Sequence, residues 1–221
     1  MTEEESSAGE PWSENVDSDE IREHLTGLSL ADLVEWFSAD DEYDHYYEEV
    51  AKKLYEHGRA GIEVLFAELD GRRVSQWRAA LVVLSLYQGE DPKLVEKAKL
   101  RVGDPEPLIA GDAIWFLRLS GNTDLSDTIR GMKGHPDEFV RAKVLEYLAY
   151  TELEAVYPAL VQGLGDTSYI VRETIIDVFD DLQVTDAIGL IEPLLEDPHE
   201  DVRQAARTAV DNLRDLLDSP E

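Results

Sequence analysis

Apolar residues recur three and four positions apart through nearly the whole chain from Ser18 onward. That spacing lines one face of an α-helix, and no stretch of alternating apolar residues bounded by hairpin turns competes with it, so the chain is predicted to be all-α. The first clear helix carries Leu30, Leu33, Val34 and Phe37, opened by Ser29 as N-cap with Asp32 in its first turn. A second is predicted from about 42 to 57 and stops at Gly58, a residue suited to a helix C-terminus. Beyond it helices alternate in pairs. First members are predicted near 60–70, 92–102, 123–133, 153–164 and 185–196, and second members near 73–88, 106–120, 137–150, 168–182 and 199–217. Gly- and Pro-containing turns such as Gly103 to Pro107, Gly121-Asn122 and Gly134 to Pro136 separate them.

The pairs share one register. Asp104-Pro105, His135-Pro136, Asp166-Thr167 and Asp197-Pro198 follow one another at steps of 31 residues. Five positions after each lies an apolar anchor, Ile109, Val140, Val171 or Val202, and the last three are followed by Arg141, Arg172 and Arg203. Measured from Val171, the predicted core positions are Val171, Ile175, Val178, Phe179 and Leu182; from Val202 they are Val202, Ala206, Ala209, Val210 and Leu213. Trp77-Arg78 with Leu81 and Leu84 fits as an earlier unit with one extra residue in its loop, and Tyr46, 31 residues before Trp77, suggests a divergent first one. A fixed period of this size marks an α-solenoid of stacked antiparallel helix pairs, in which each unit buries its apolar face only against its neighbours. The predicted organisation is an acidic disordered tail at 1–17, a divergent helical unit at 18–59, five repeats over 60–217 forming one continuous solenoid, and a tail at 218–221.

The run Asp197-Pro198-His199-Glu200-Asp201-Val202-Arg203-Gln204-Ala205-Ala206-Arg207 resembles the HEAT repeat, most closely the short variety named after phycobilisome lyases. The resemblance extends over about 60–217, more weakly back to 29. It implies the fold, and it implies that Arg141, Arg172 and Arg203 form a structural ladder with acids of adjacent turns, Asp166, Asp197 or Asp201, instead of binding a ligand. On function it is nearly silent, because sites are grafted onto such folds independently of them.

Charge narrows the function classes. Lys and Arg total 20 against 49 Asp and Glu, a net charge of −29. Such a field repels phosphate backbones and acidic lipid, so neither nucleic acid nor membrane is an expected partner. The acids are spread over the repeats, as in proteins of salt-accumulating halophiles, where molar salt shortens the Debye length to about 3 Å and screens self-repulsion. There is no cysteine, hence no disulfide and no thiolate metal site. No apolar run approaches the roughly 18–20 residues of a membrane span, and the acidic start Met1-Thr2-Glu3-Glu4-Glu5 is unlike a secretory signal; a cytoplasmic location is expected.

Catalytic and cofactor chemistry finds little support. Di-iron hydroxylases built on HEAT repeats carry His-Glu pairs just after the Val-Arg position, which here holds Ala142-Lys143, Glu173-Thr174 and Gln204-Ala205. The histidines, His24, His45, His57, His135 and His199, have no metal-ligand spacing, and there is no phosphate loop or nucleophile motif. No cofactor is expected. The non-core positions of the second helices remain, and they describe what a partner would meet: Val82, Ile114, Leu145 and Ile176 at one offset, Val83 and Trp115 at the next. These six are the expected partner-binding residues. The resulting expectation is a non-enzymatic adaptor that binds a protein or peptide in a concave groove, for which a signalling or motility complex is one conceivable setting. A bilin-lyase-like enzyme or maturation factor, suggested by the family resemblance, and a small-molecule or metal-responsive sensor are the alternatives.

Overall fold

The computed structural model describes residues 18–39, 44–89 and 91–218, and among them every regular element is helical. The predicted tail at 1–17 with Trp12, the acid pair Asp40-Asp41, and residues 219–221 of the predicted C-terminal tail lie outside the described residues. The chain divides into two units, 1–89 and 90–221.

The first unit contains α1 (Ser18–Leu25), α2 (Leu30–Ser38), α3 (Asp44–Glu56), α4 (Arg59–Glu68) and α5 (Val74–Gln88). Ser29 starts α2 through a reciprocal cap: its hydroxyl accepts from the Asp32 amide at 3.2 Å, while Asp32 accepts from the Ser29 amide at 2.9 Å. α3 is the centre, packing against each of the other four. Its Tyr46, Tyr47, Val50 and Leu54 are fully buried with Ile21, Leu25, Leu33 and Phe37 of α1 and α2. The backbones of α3 and α4 approach closely at Gly61, where a Cβ would fall 1.7 Å from the Leu54 carbonyl oxygen. Glu68, which pairs with Arg73, and Glu49 are buried charges of this unit. Burial opposes the ionisation of Glu49, but hydrogen bonds from Arg22 and Lys52, each 2.8 Å, outweigh it and keep its pKa below the ordinary glutamate value.

The second unit contains α6 (Pro92–Lys99), α7 (Pro107–Leu119), α8 (Ser126–Arg130), α9 (Glu138–Gly163), α10 (Tyr169–Asp181), α11 (Ile188–Ile191) and α12 (Glu200–Asp218). α9 breaks at Glu152, whose backbone is non-helical, so it supplies the second helix of one pair and the first helix of the next. Arg130, at the end of α8, holds this corner with hydrogen bonds to both carboxylate oxygens of Glu152 at 2.8–3.1 Å. The first helices predicted at 123–133 and 185–196 are less regular than their periodicity suggests. α8 spans only five residues, and α11 is flanked by 3₁₀ segments at Thr185–Ala187 and Glu192–Glu196, the latter carrying Pro193 in its first turn, where no helical amide is needed.

The 31-residue register is visible atom by atom in the turns that open the second helices. Asp104, Asp166 and Asp197 each accept, through Oδ1, the amide two residues on, at 2.8–3.0 Å; at the equivalent place His135 accepts the Asp137 amide with Nδ1 at 3.2 Å. The ring nitrogen thus stands in for a carboxylate oxygen. The anchors Ile109, Val140, Val171 and Val202, one per repeat, are at most 1% exposed. The arginine after each of the last three donates through Nη1 to two carbonyls of its own turn: Arg141 to His135 and Pro136, Arg172 to Asp166 and Thr167, Arg203 to Asp197 and Pro198. Arg141 and Arg172 also reach one repeat forward in bidentate pairs, to Asp166 at 2.9 and 3.1 Å and to Asp197 at 2.8 Å. Arg203, in α12, donates to the two carbonyls of its own turn.

The turns that close the second helices repeat as well. After α7 the Asn122 amide donates to the Leu117 carbonyl at 3.0 Å and Gly121 has φ +63°. Two periods later the Val184 amide donates to the Phe179 carbonyl at 2.9 Å and Gln183 has φ +54°. This closure requires a left-handed residue, which glycine supplies without steric cost and glutamine does not. Gln183→Gly is therefore expected to raise stability by about 0.5–1 kcal/mol, offset in part by unfolded-state entropy. Urea denaturation checks it, and a lower midpoint for the variant would contradict the turn assignment.

Candidate partner-binding face

α7, α9, α10 and α12 pack in that order, each on the next, so their solvent-facing side chains form one strip across the second unit. The strip is not the apolar one expected. Ile114 and Ile176 are 0% exposed and Leu145 5%, and in the first unit Val83 is 0% exposed. These four belong to the interior and offer nothing to a partner. The reason is geometric: a helix inside a stack is covered by its own pair partner and by the neighbouring second helices, so its buried arc is wider than that of a helix with a single neighbour. Of the six expected residues only Val82 and Trp115 reach solvent, both half-buried. Leu182, expected in the core, is also half-buried.

Charged and aromatic side chains cover that interior instead. Arg118 of α7 pairs with Glu146 of α9 at 3.0 Å, and Lys143 closes on Glu146 at 2.9 Å. The Arg118 guanidinium also lies 4.5 Å from the centre of the Tyr150 ring, a cation–π contact. Tyr150 donates its hydroxyl to Asp181 of α10 at 2.7 Å, and Asn212 of α12 donates to Asp180 at 2.7 Å. The strip therefore runs through four helices by direct contacts. Of these, Asp180 and Asp181 stand out in sequence only as a paired-acid surface, and Arg118 and Tyr150 carry no signal as partner-facing residues. The register does place part of the strip, since Leu119, Tyr150, Asp181 and Asn212 each lie ten residues past their repeat's anchor.

Acids outnumber bases on the α10 side. Asp177 is open to solvent in part, yet surrounding protein strips water from its carboxylate, and Glu173, Asp181, Asp180 and Glu146 add like charge; its pKa is pushed up to about 6. Glu173 is raised too, by burial first and then by Asp201. Burial, followed by the bond to Asp181, pushes the Tyr150 hydroxyl up to about 12, so it remains a donor at neutral pH. A carboxyl whose folded pKa exceeds its unfolded value binds extra protons in the folded state, so its ionisation lowers stability as pH rises from about 4 through about 6. Asp177→Asn should accordingly melt above the parent at pH 7.5, with the gap closing as pH falls towards 4. A gap independent of pH would show that Asp177 is not under this strain.

Among the described residues no three His, Asp or Glu side chains converge as metal ligands. His135 is engaged in its turn. His199 stacks on Tyr169 with ring centres 3.6 Å apart. Among the described residues no helix is long and apolar enough to cross a membrane.

These features define an all-helical repeat protein, an α-solenoid of stacked antiparallel helix pairs of HEAT-like form. No protein-family model matches the chain, and no curated protein sequence matches it. Similar folds exist among solved structures. In the complex of CpcE and CpcF of phycocyanin lyase from Nostoc sp. PCC7120, one chain superposes with TM-score 0.52 at 23% identity over 70% of this chain, which spans 65% of that chain's length. An engineered protein superposes with TM-score 0.52 at 16% identity, covering 84% of this chain and 96% of its own. A designed armadillo repeat protein gives 0.46 at 15% identity, over 84% and 100%.

Proposed function

We propose that this chain is a non-catalytic interaction scaffold of the HEAT-repeat kind, counted in sequence as five repeats over 60–217, which receives a polypeptide partner along the second-helix strip of its second unit. One observation carries the reading: side chains from the four stacked helices α7, α9, α10 and α12 meet on a single strip, linked from Arg118 through Tyr150 and Asp181 to the Asp180–Asn212 contact, above a closed apolar interior. Such a surface offers many weak polar contacts and an aromatic anchor, Trp115, which suits a polypeptide better than a small substrate.

The test is affinity capture with the full chain in molar salt, repeated with Trp115→Ala. The variant should keep its far-ultraviolet circular dichroism and bind the captured protein more weakly by about 2 kcal/mol, the size of a hot-spot aromatic. Capture indifferent to Trp115→Ala would remove this strip as the site. The fold likeness to a phycocyanin lyase makes a bilin the competing ligand, so absorbance of the purified protein is read alongside; a stoichiometric pigment would replace the scaffold reading with the lyase one.

A further inference from the structure

We propose that the C-terminal ends of the second helices in the second unit form a docking row for an amphipathic partner segment bearing Lys or Arg beside apolar side chains. The inference rests on the scaffold reading above and names the chemistry of its partner. Large apolar side chains are left open along this row: Leu119 of α7 is 50% exposed, Tyr150 of α9 38% and Leu216 of α12 42%. Leu119 and Tyr150 occupy the same register position in successive repeats, followed there by Asp181 and Asn212, so the row is a product of the repeat itself. Between α10 and α12 it deepens into a recess of about 460 Å³ lined by Asp180, Asp181, Gln183, Asn212, Asp215 and Leu216.

The row thus passes from apolar and aromatic side chains to a recess with three carboxylates and a leucine wall. A lysine or arginine suits that recess, its aliphatic stem against Leu216 and its charged head among the carboxylates. Asp181 already accepts the Tyr150 hydroxyl and Asp180 the Asn212 amide, so both carboxylates are held in place before a cation arrives. The surrounding field, with a net charge of −29 on the chain, attracts a cationic segment and repels an acidic one or a second copy of the protein. Three helix spacings of about 8–10 Å separate α7 from α12, a distance that a helix of roughly 16–20 residues covers at 1.5 Å per residue.

The experiment uses the full chain and two fluorescent synthetic amphipathic peptides of about 18 residues, one of Leu and Lys, the other of Leu and Glu, with anisotropy as readout. The Leu/Lys peptide should bind and the Leu/Glu peptide should not. Leu119→Ser, an exposed change that spares the core, should weaken binding about tenfold, as should Asp181→Asn combined with Asp215→Asn. Glu154→Gln with Glu196→Gln removes the same charge from exposed sites on the first-helix layer and should change affinity less than about twofold. Equal losses in the two charge-matched pairs, or indifference to Leu119→Ser, would mean undirected charge attraction and overturn the row. Self-association in sedimentation that Leu119→Ser abolishes would overturn it as well, by placing a second copy there. Any of these results with capture still sensitive to Trp115→Ala leaves the scaffold reading standing; capture insensitive to Trp115→Ala removes the site of that reading as well.

Discussion

Gly61→Ala is expected to be the most damaging single-methyl change in the first unit, costing about 3 kcal/mol or more. Its added Cβ would lie 1.7 Å from the Leu54 carbonyl oxygen and 2.6 Å from the carbonyl carbon. Those are backbone atoms inside α3, so no rotamer change can make room and two helices must separate. α3 touches every other helix of its unit, so the displacement would loosen the whole unit. Gly189→Ala supplies the control. It lies in α11 with no atom within 4 Å of the added carbon, and there alanine's helix propensity and its stiffer unfolded chain should stabilise by about 0.5–1 kcal/mol. The pair is read by chemical denaturation and by amide exchange in α3 and α4; similar effects of the two changes would refute the close approach.

Arg172→Ala is expected to cost about 2–3 kcal/mol, clearly more than Arg203→Ala at about 1 kcal/mol. Both arginines bind two carbonyls of their own turn, but only Arg172 also neutralises Asp197, whose side chain is 4% exposed. Removing Arg172 leaves that carboxylate covered and unpaired. Asp197 is covered by its own turn and lies near the surface, which keeps the penalty below that of a deeply buried charge. The hydrogen bond from Arg172 holds the pKa of Asp197 below the usual aspartate value, and Arg141 does the same for Asp166 against the cost of burial. A lowered folded pKa adds stability that is complete above the unfolded pKa and is lost as pH falls through the folded one, so the gap between the two variants should be full at neutral pH and shrink below about pH 4. Equal melting temperatures for the two variants at pH 7 would contradict the ladder geometry.

The period of 31 residues was legible because each repeat solves the same packing problem with the same local chemistry. An apolar anchor, the side chain that closes its turn and the arginine after it sit at fixed offsets, and each depends on contacts within one unit or the next. Helix class, turn positions and the core valines therefore follow from sequence alone. The cap of α2 did too, since Ser29 and Asp32 act within four residues of chain.

The partner face was not legible in the same way. Ile114, Leu145 and Ile176 sit at the edge of a helical apolar arc, and whether such an edge is surface or interior depends on how close the neighbouring helices come. That distance is set by pairs remote in sequence, such as Gly163 against Ile175 and Leu145, and Gly111 beneath the Phe139 ring. Likewise the shift of Asp177 arises first from burial of its carboxylate, which only the packing around α10 decides; of the carboxylates that add to it, Glu146 comes from α9 while Glu173, Asp180 and Asp181 share its helix. Sequence by itself determined the repeat and its helices, because those interactions are local or one period away. The tertiary structure alone decided which side chains of each helix remain in water, because burial is a property of the space between elements and not of any one of them.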